Sequence, residues 1–240
     1  MEREYRERPP PARLRGVLAC TWTRVSPPAI AEVRVVPDAC VDVVWRDDGL
    51  LQVAGPDTGP VRVTMVGCGY VGARFLPGVA PSLLGVPASA LRDLRVDLYD
   101  LWGRSCADRL ADALAGAGAQ ERAEELLAGV IEKRLSLASP PDPVVRALIA
   151  RFARGRSRLA AAAADLGVSE RQLRRRCETA VGYGPKTLER ILRFQRFRAL
   201  ARRGAGSLAE LALEAGYADQ AHLNREHLRL AGVTPRTGLG

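Results

Sequence analysis

Histidine, lysine and paired cysteine are almost missing from this 240-residue chain. The only histidines, His222 and His227, lie near the carboxy-terminal end, so the first 138 residues hold no imidazole to act as a base or a ligand. Five cysteines (Cys20, Cys40, Cys68, Cys106 and Cys177) are odd in number and widely spaced, with no C-x-x-C pair. That pattern excludes a disulfide framework and gives no zinc signature. No apolar run approaches the ~20 residues of a membrane helix. The opening residues, MEREYRERPPPARLRG, carry charge without an apolar core and read as no secretory signal. These absences predict a soluble, cytoplasmic protein with no metal and no cofactor.

Positive charge is abundant but almost all arginine, since Lys133 and Lys186 are the only lysines. It is also lopsided. Residues 139–240 hold 19 basic against 9 acidic side chains, +10, while residues 1–138 hold 17 against 18, −1, which together give the net +9. A basic half beside a neutral half points to a polyanion-binding module joined to something else. The segment SPPDP (139–143) separates them, because its prolines lack amide hydrogens and restrict the residues before them. The predicted division is 1–138 and 139–240, with Asp142 capping a helix that begins at Pro143.

The basic half contains one pattern written twice. The copies are LAAAAADLGVSERQLRRRCETAVGYGP (159–185) and LAELALEAGYADQAHLNREHLRLAGVTP (208–235). Each places a small residue four positions before a glycine, Ala163 before Gly167 and Ala212 before Gly216. Two helices that cross closely need the small residue, and their tight turn favours glycine. Leu173 and Leu223, Gly182 and Gly232, and Pro185 and Pro235 then recur 50 positions apart. Two tandem helix-turn-helix units result, at about 159–182 and 208–232. A run from Pro185 to Arg203 forms a helix of about 28 Å between them. That is close to the ~34 Å between equivalent major-groove faces one turn apart.

These residues resemble the AraC/XylS family of transcription regulators. The second copy carries most of the likeness, and GYGP (182–185) matches the close of the family's first unit. The resemblance implies a bacterial DNA-binding regulator, leaning towards activation, with double-stranded DNA and RNA polymerase as partners. It admits a small-molecule effector and a homodimer as well. Two positions depart from it. The inward residue after Leu173, usually aromatic, is Cys177, and its counterpart after Leu223 is His227. Packing by neighbours explains both, against the alternative that Cys177 senses oxidation. The closing segment TPRTGLG (234–240) lacks the family's tyrosine and arginine, which predicts a weaker second unit.

In the first unit Ser169 and Gln172 have the spacing of a capping box. Arg171, Gln172 and Arg175 are the expected base readers, since arginine grips guanine and glutamine grips adenine at two atoms each. Arg174 and Arg176 are placed on phosphates, which fix register. In the second unit Asp219 caps, and Gln220, His222, Asn224 and Arg225 face the groove. Arg190, Arg193, Arg196, Arg198, Arg202 and Arg203 make the linking helix basic, with some of them on phosphates.

The first half alternates short β-branched runs with Gly, Pro and Asp turns. Strands are expected at 14–24, 32–36, 41–45, 50–54, 61–66 and 70–75, forming an antiparallel sandwich or small barrel. Residues 1–13 are expected to be loose. Helices are expected at 81–84, 88–94, 104–115 and 119–137, with an irregular connector at 96–102. The fold class is thus α+β, a sheet domain with flanking helices followed by an all-α tandem domain. The stripe Leu126, Leu127, Val130, Ile131 and Leu135 covers its own sheet or joins a second subunit. The motifs VPDACVDVVW (36–45), VAGPDT (53–58), VGARFLPG (71–78) and LGVPASALRD (84–93) resemble uncharacterised amino-terminal domains of AraC-type regulators. That resemblance implies an effector or oligomerisation domain. A catalytic domain, such as an alkyl-accepting repair activity, lacks a base beside any cysteine. A purely architectural binder remains a third alternative. Asp38, Cys40, Cys68 and Arg74 are the positions to inspect for ligand sensing, with a structural Arg74–Asp38 ion pair as the competing reading.

Overall fold

A computed structural model describes residues 5–26, 31–155, 159–204 and 206–238. The amino-terminal strands are β1 (Tyr5–Arg8), β2 (Leu18–Val25), β3 (Ala31–Val35), β4 (Val41–Arg46), β5 (Leu51–Ala54), β6 (Val61–Met65) and β7 (Gly69–Phe75). After helix α1 (Ala80–Leu84) and a 3₁₀ turn (Ala88–Ala90) comes β8 (Arg95–Asp97). Then follow α2 (Leu98–Trp102), α3 (Arg104–Ala115) and α4 (Gln120–Leu135). The remaining described residues form seven helices and no strand: α5 (Pro143–Ala153), α6 (Leu159–Asp165), α7 (Glu170–Val181), α8 (Pro185–Arg202), α9 (Leu208–Ala215), α10 (Gln220–Ala231) and α11 (Pro235–Gly238).

Six strands make one antiparallel sheet in the order β1-β2-β7-β4-β5-β8, and β3 pairs with β6 as a separate ribbon. Alternation assigns the faces. Val43, Trp45, Val71, Ala73 and Phe75 point towards the helices and form the main core with Leu127 and Ile131 of α4. Trp22, Val44 and Tyr70 point the other way, under Met65, Val33 and Val63 of the ribbon. The second layer of the sandwich is therefore only two strands wide. Gly72 is needed in the middle of β7 because the Trp22 ring occupies the space of a side chain there. A Cβ would fall 2.1 Å from that ring.

On the ribbon-side face one arginine meets three carboxylates. Arg74 reaches Asp42 at 3.1 Å, Glu7 at 3.0 Å and Asp38 at 3.4 Å. Trp22 Nε1 donates to Asp42 at 2.9 Å. The structural ion pair is thus present, extended to three acids.

Several expectations need correction. Residues 5–8 are a paired edge strand, not a loose segment. Its Arg8 donates to Glu124 and Glu121 of α4, each at 3.0 Å, and Glu124 is buried. The helix expected at 88–94 shrinks to a single 3₁₀ turn, and the connector at 96–102 divides into β8 and α2. Leu127 and Ile131 are fully buried against their own sheet, so the full stripe is not available to a second copy. Leu126, Val130 and Leu135 stay half-buried beside the same core.

Candidate nucleic-acid interface

Each unit is built from the same devices. Ala163 and Ala212 are buried where the paired helices cross. Gly167 and Gly216 turn the chain at φ of 66° and 91°. The amides of Val168 and Tyr217 then return to the carbonyls of Ala163 and Ala212, at 3.1 and 2.9 Å. A polar cap starts the second helix. Ser169 Oγ accepts from Gln172 N at 3.2 Å while Gln172 Oε1 accepts from Ser169 N at 2.8 Å. Asp219 Oδ1 accepts from His222 N at 2.6 Å. Both second helices, α7 and α10, span 12 residues, and both stop at a left-handed glycine, Gly182 and Gly232.

Leu173 and Cys177 of α7, and Leu223 and His227 of α10, are buried. This leaves Arg171, Gln172, Arg174 and Arg175 exposed on the first unit and Asn224 and Arg225 exposed on the second. Gln220 and His222 are half-buried beside them. The two sets share position and exposure but not charge. The first face carries three exposed arginines, and the second mixes amides, one arginine and an imidazole.

Not every candidate is free. Arg176 Nε is 2.7 Å from Asp142, whose other carboxylate oxygen caps α5 through the amides of Val144 and Val145. Its guanidinium joins two helices before it can reach a phosphate. Gln172 spends its carbonyl oxygen on the cap. His222 stacks edge-on against Tyr217 at 5.2 Å and lies 3.5 Å from Glu226.

The linking helix α8 has 18 residues, or about 27 Å of axis. Its arginines divide into structural and free. Arg193 grips Glu226 of α10 at 3.0 Å and stands over the Tyr217 ring, and Arg190 reaches the same carboxylate at 3.3 Å. Arg196 donates to the carbonyls of Phe152, Ala153 and Ala215, at 2.6, 3.3 and 2.9 Å. It thereby caps the carboxy-terminal ends of both α5 and α9, where free carbonyls attract a cation. Arg198 is half-buried over Phe194. Only Arg202 and Arg203 are exposed. The sequence showed a basic helix; it did not show that most of that charge is spent inside the protein.

Where aromatic packing was expected, His227 supplies a ring. It meets Phe194 and Phe197 edge-on at 5.3 and 5.8 Å. Its Nδ1 lies 2.7 Å from the Val233 carbonyl, which can only accept, so the proton is on Nδ1. Cys177 fills the first unit's core, and burial pushes its thiol up to about 12, as befits an inert cysteine. Beyond Thr234, the short helix α11 closes the second unit with a 3.0 Å bond from Gly238 N to the Thr234 carbonyl. Residues 239–240 of the closing segment lie outside the described residues.

A sheet domain followed by two helix-turn-helix units on one linking helix is the architecture of a two-part DNA-binding regulator. Residues 162–238 match a family described as "Helix-turn-helix domain", and residues 6–97 match a domain of unknown function, DUF6597. The chain thus carries an AraC-type helix-turn-helix domain at its carboxy terminus and a DUF6597 domain ahead of it. Among solved structures, ToxT from Vibrio cholerae O395 is similar over 91% of this chain and 95% of its own, at TM-score 0.50 and 11% identity. Wild-type ToxT from strain SCE256 with a bound unsaturated fatty acid is similar over 88% and 94%, at TM-score 0.48 and 11% identity. The likeness to the O395 structure is one of fold. No curated protein matches the chain in sequence.

Proposed function

We propose that this chain is a sequence-specific transcription regulator that lays α7 and α10 in two major-groove segments on one side of a duplex. The observation that carries this reading is the repeated frame itself. Two 12-residue helices, each capped at one end and closed by glycine at the other, turn their polar faces outward at the same 50-residue offset. On this reading Arg171 and Arg175 read bases in the first unit, with Gln172 able to offer its amide NH₂ outward while its oxygen caps the helix. Gln220, Asn224 and Arg225 read in the second unit, and His222 contributes from a fixed rotamer. Arg174, Arg202 and Arg203 hold phosphates. Ser169 serves as cap, and Arg176 as a tie to α5 rather than a phosphate contact.

The DNA-binding part is taken as 139–240 and the sheet part as 1–138. The sheet part is assigned control of the DNA-binding part by a cellular signal, with activation through RNA polymerase as the output. A platform fits it better than a catalyst. Burial raises the thiols of Cys20 and Cys40, and Cys68 is raised as well, the opposite of what an alkyl-accepting cysteine needs. The homodimer reading now rests on the open apolar cleft of about 270 Å³ between α3 and α4, where Leu110, Leu126 and Val130 meet. Selection of genomic fragments by the purified chain, followed by footprinting, tests the function. Two protected major-groove segments on one face are expected, and a footprint confined to one segment would refute the two-helix reading.

A further inference from the structure

The two recognition helices end in the same kind of corner. Gly182 closes α7 with a left-handed φ of 87°, and Gly232 closes α10 at 70°. Proline follows three residues later in both, at Pro185 and Pro235. The first corner is buried and the second is exposed, yet both meet the sheet domain. Pro56 packs so closely on Gly182 that a Cβ there would lie 2.7 Å from the proline ring. Pro60 packs on Gly232, where a Cβ would meet its ring at 3.4 Å. Both prolines belong to one six-residue loop, GPDTGP (55–60), between β5 and β6.

That loop is rigidly built. Gly55 N donates to the Leu94 carbonyl at 3.0 Å, and Asp93 N donates to the Pro56 carbonyl at 3.1 Å. Asp57, which is buried, takes a two-pronged grip from Arg95 at 2.9 and 2.8 Å. Thr58 N donates to Asp93 at 2.7 Å. Proline adds a fixed φ and a flat apolar surface without an amide to satisfy. Two bonds reinforce the docking. Arg92 donates to the Gly182 carbonyl at 3.3 Å, and Gln195 of α8 donates to the Pro37 carbonyl at 2.5 Å. Ala39 of the sheet domain lies in one core with Val181, Tyr183, Leu230 and Ala231.

We propose that the 55–60 loop is a single docking element which holds both helix-turn-helix units at once and fixes the placement of one recognition helix relative to the other. The partner of this surface is the pair of Gly-x-x-Pro corners, one proline to each. The loop grips the carboxy-terminal ends of α7 and α10, so their amino-terminal ends, where the exposed arginines and amides stand, remain open. Any event that shifts this loop therefore reaches both units together. The docking stands whether or not the helices read DNA.

The test measures the distance between the two helices in the full chain without DNA. Spin labels are placed at Glu170→Cys and Ala221→Cys, after Cys40, Cys68 and Cys106 are replaced by serine. Double electron–electron resonance should then give one narrow separation. Pro60→Glu combined with Arg92→Glu, both at exposed positions, should abolish that narrow peak while the circular dichroism of the sheet domain is kept. A narrow peak unchanged in the double variant would overturn the proposal, as would a broad distribution in the parent. Should the double variant unfold, Arg92→Ala alone decides: broadening supports the docking and an unchanged width refutes it. A failure of DNA reading would leave all of these distances as they are.

Discussion

In the first helix-turn-helix unit, Leu173, Cys177 and Val181 share a large core with Leu148, Phe152 and Phe194, and that core runs on to Ala39 of the sheet domain. In the second, Leu223 belongs to a small separate cluster of Phe197, Leu211, Ala212, Ala215 and Tyr217. Ionic and polar contacts supply what packing does not. Glu226 collects Arg190 and Arg193, and Arg196 caps α9. The frames match apart from one extra residue before the second cap, yet the first lies within the large core, while the second joins that core through Leu230 and Ala231 at the end of α10 and adds a guanidinium clamp. The difference shows that caps, turns and one inward leucine specify the unit, while its attachment to the rest of the molecule is free to vary.

Core truncation should break this comparison most sharply. Leu173→Ala and Leu223→Ala remove the same atoms from fully buried sites, at a cost of about 2–5 kcal/mol each. Leu173→Ala is expected to lower the global stability of the chain in urea. Leu223→Ala should instead open residues 208–238 locally, so that hydrogen exchange accelerates there and not in α5 or α7. Equal acceleration throughout would mean that the two units unfold as one.

Arg196→Ala comes next. It leaves three carbonyls at two helix ends without their cation, an expected loss of about 1.5–3 kcal/mol by the scale of hydrogen bonds to charged groups. Arg196→Lys cannot cap both ends and should recover only part. A stability unchanged in Arg196→Ala would show that water replaces the guanidinium without cost.

On DNA, Arg171→Ala should cost about 1–3 kcal/mol on the proper site and relax preference at one or two base pairs. Arg202→Ala should weaken all duplexes alike and flatten the salt dependence by about one unit of slope. Arg193→Ala separates the structural arginines from the free ones. Because its charge is already spent on Glu226, it should lower the stability of the second unit and leave the salt slope unchanged. Titrations at several salt concentrations on specific and scrambled duplexes decide among the three. A flattened slope for Arg193→Ala would return it to the phosphate contacts.

The helical half was legible because its signals are local: small residue, glycine, cap and inward leucine recur at fixed spacing, and each acts through the backbone beside it. The strands from β2 to β7 were legible for the same reason, through alternation and turn residues. What stayed hidden depends on distant partners. Tyr5–Arg8 becomes a strand only because β2 lies beside it and Arg8 finds Glu124, 116 positions away. Arg193 and Arg196 read as surface charge, since periodicity gives a face and not the residue opposite. The VAGPDT motif stood out as a resemblance, yet nothing in its composition says that its proline and Pro60 just beyond it meet two glycines more than a hundred residues on.

The smallest expected effect distinguishes the two inward positions, Cys177 and His227, by pH. Burial lowers the His227 imidazole below its ordinary value, and the bond from Nδ1 to Val233 opposes this only in part, while Arg198 adds to it. The unfolded chain then binds a proton that the folded chain refuses. Stability therefore rises with pH across that window. The contribution is complete above the unfolded value of about 6.5, and it is lost as pH falls through the folded one. Asp42 works in the opposite direction, since burial pushes its carboxyl up to about 6 against Arg74, with Asp38 reinforcing the rise. It favours the folded state at lower pH and would mask the histidine in any global measurement. Comparing His227→Phe with the parent cancels Asp42, because only the imidazole differs. Hydrogen exchange in α10 should slow in the variant relative to the parent below about pH 6 and not above it. An identical difference at every pH would mean that His227 acts through packing alone.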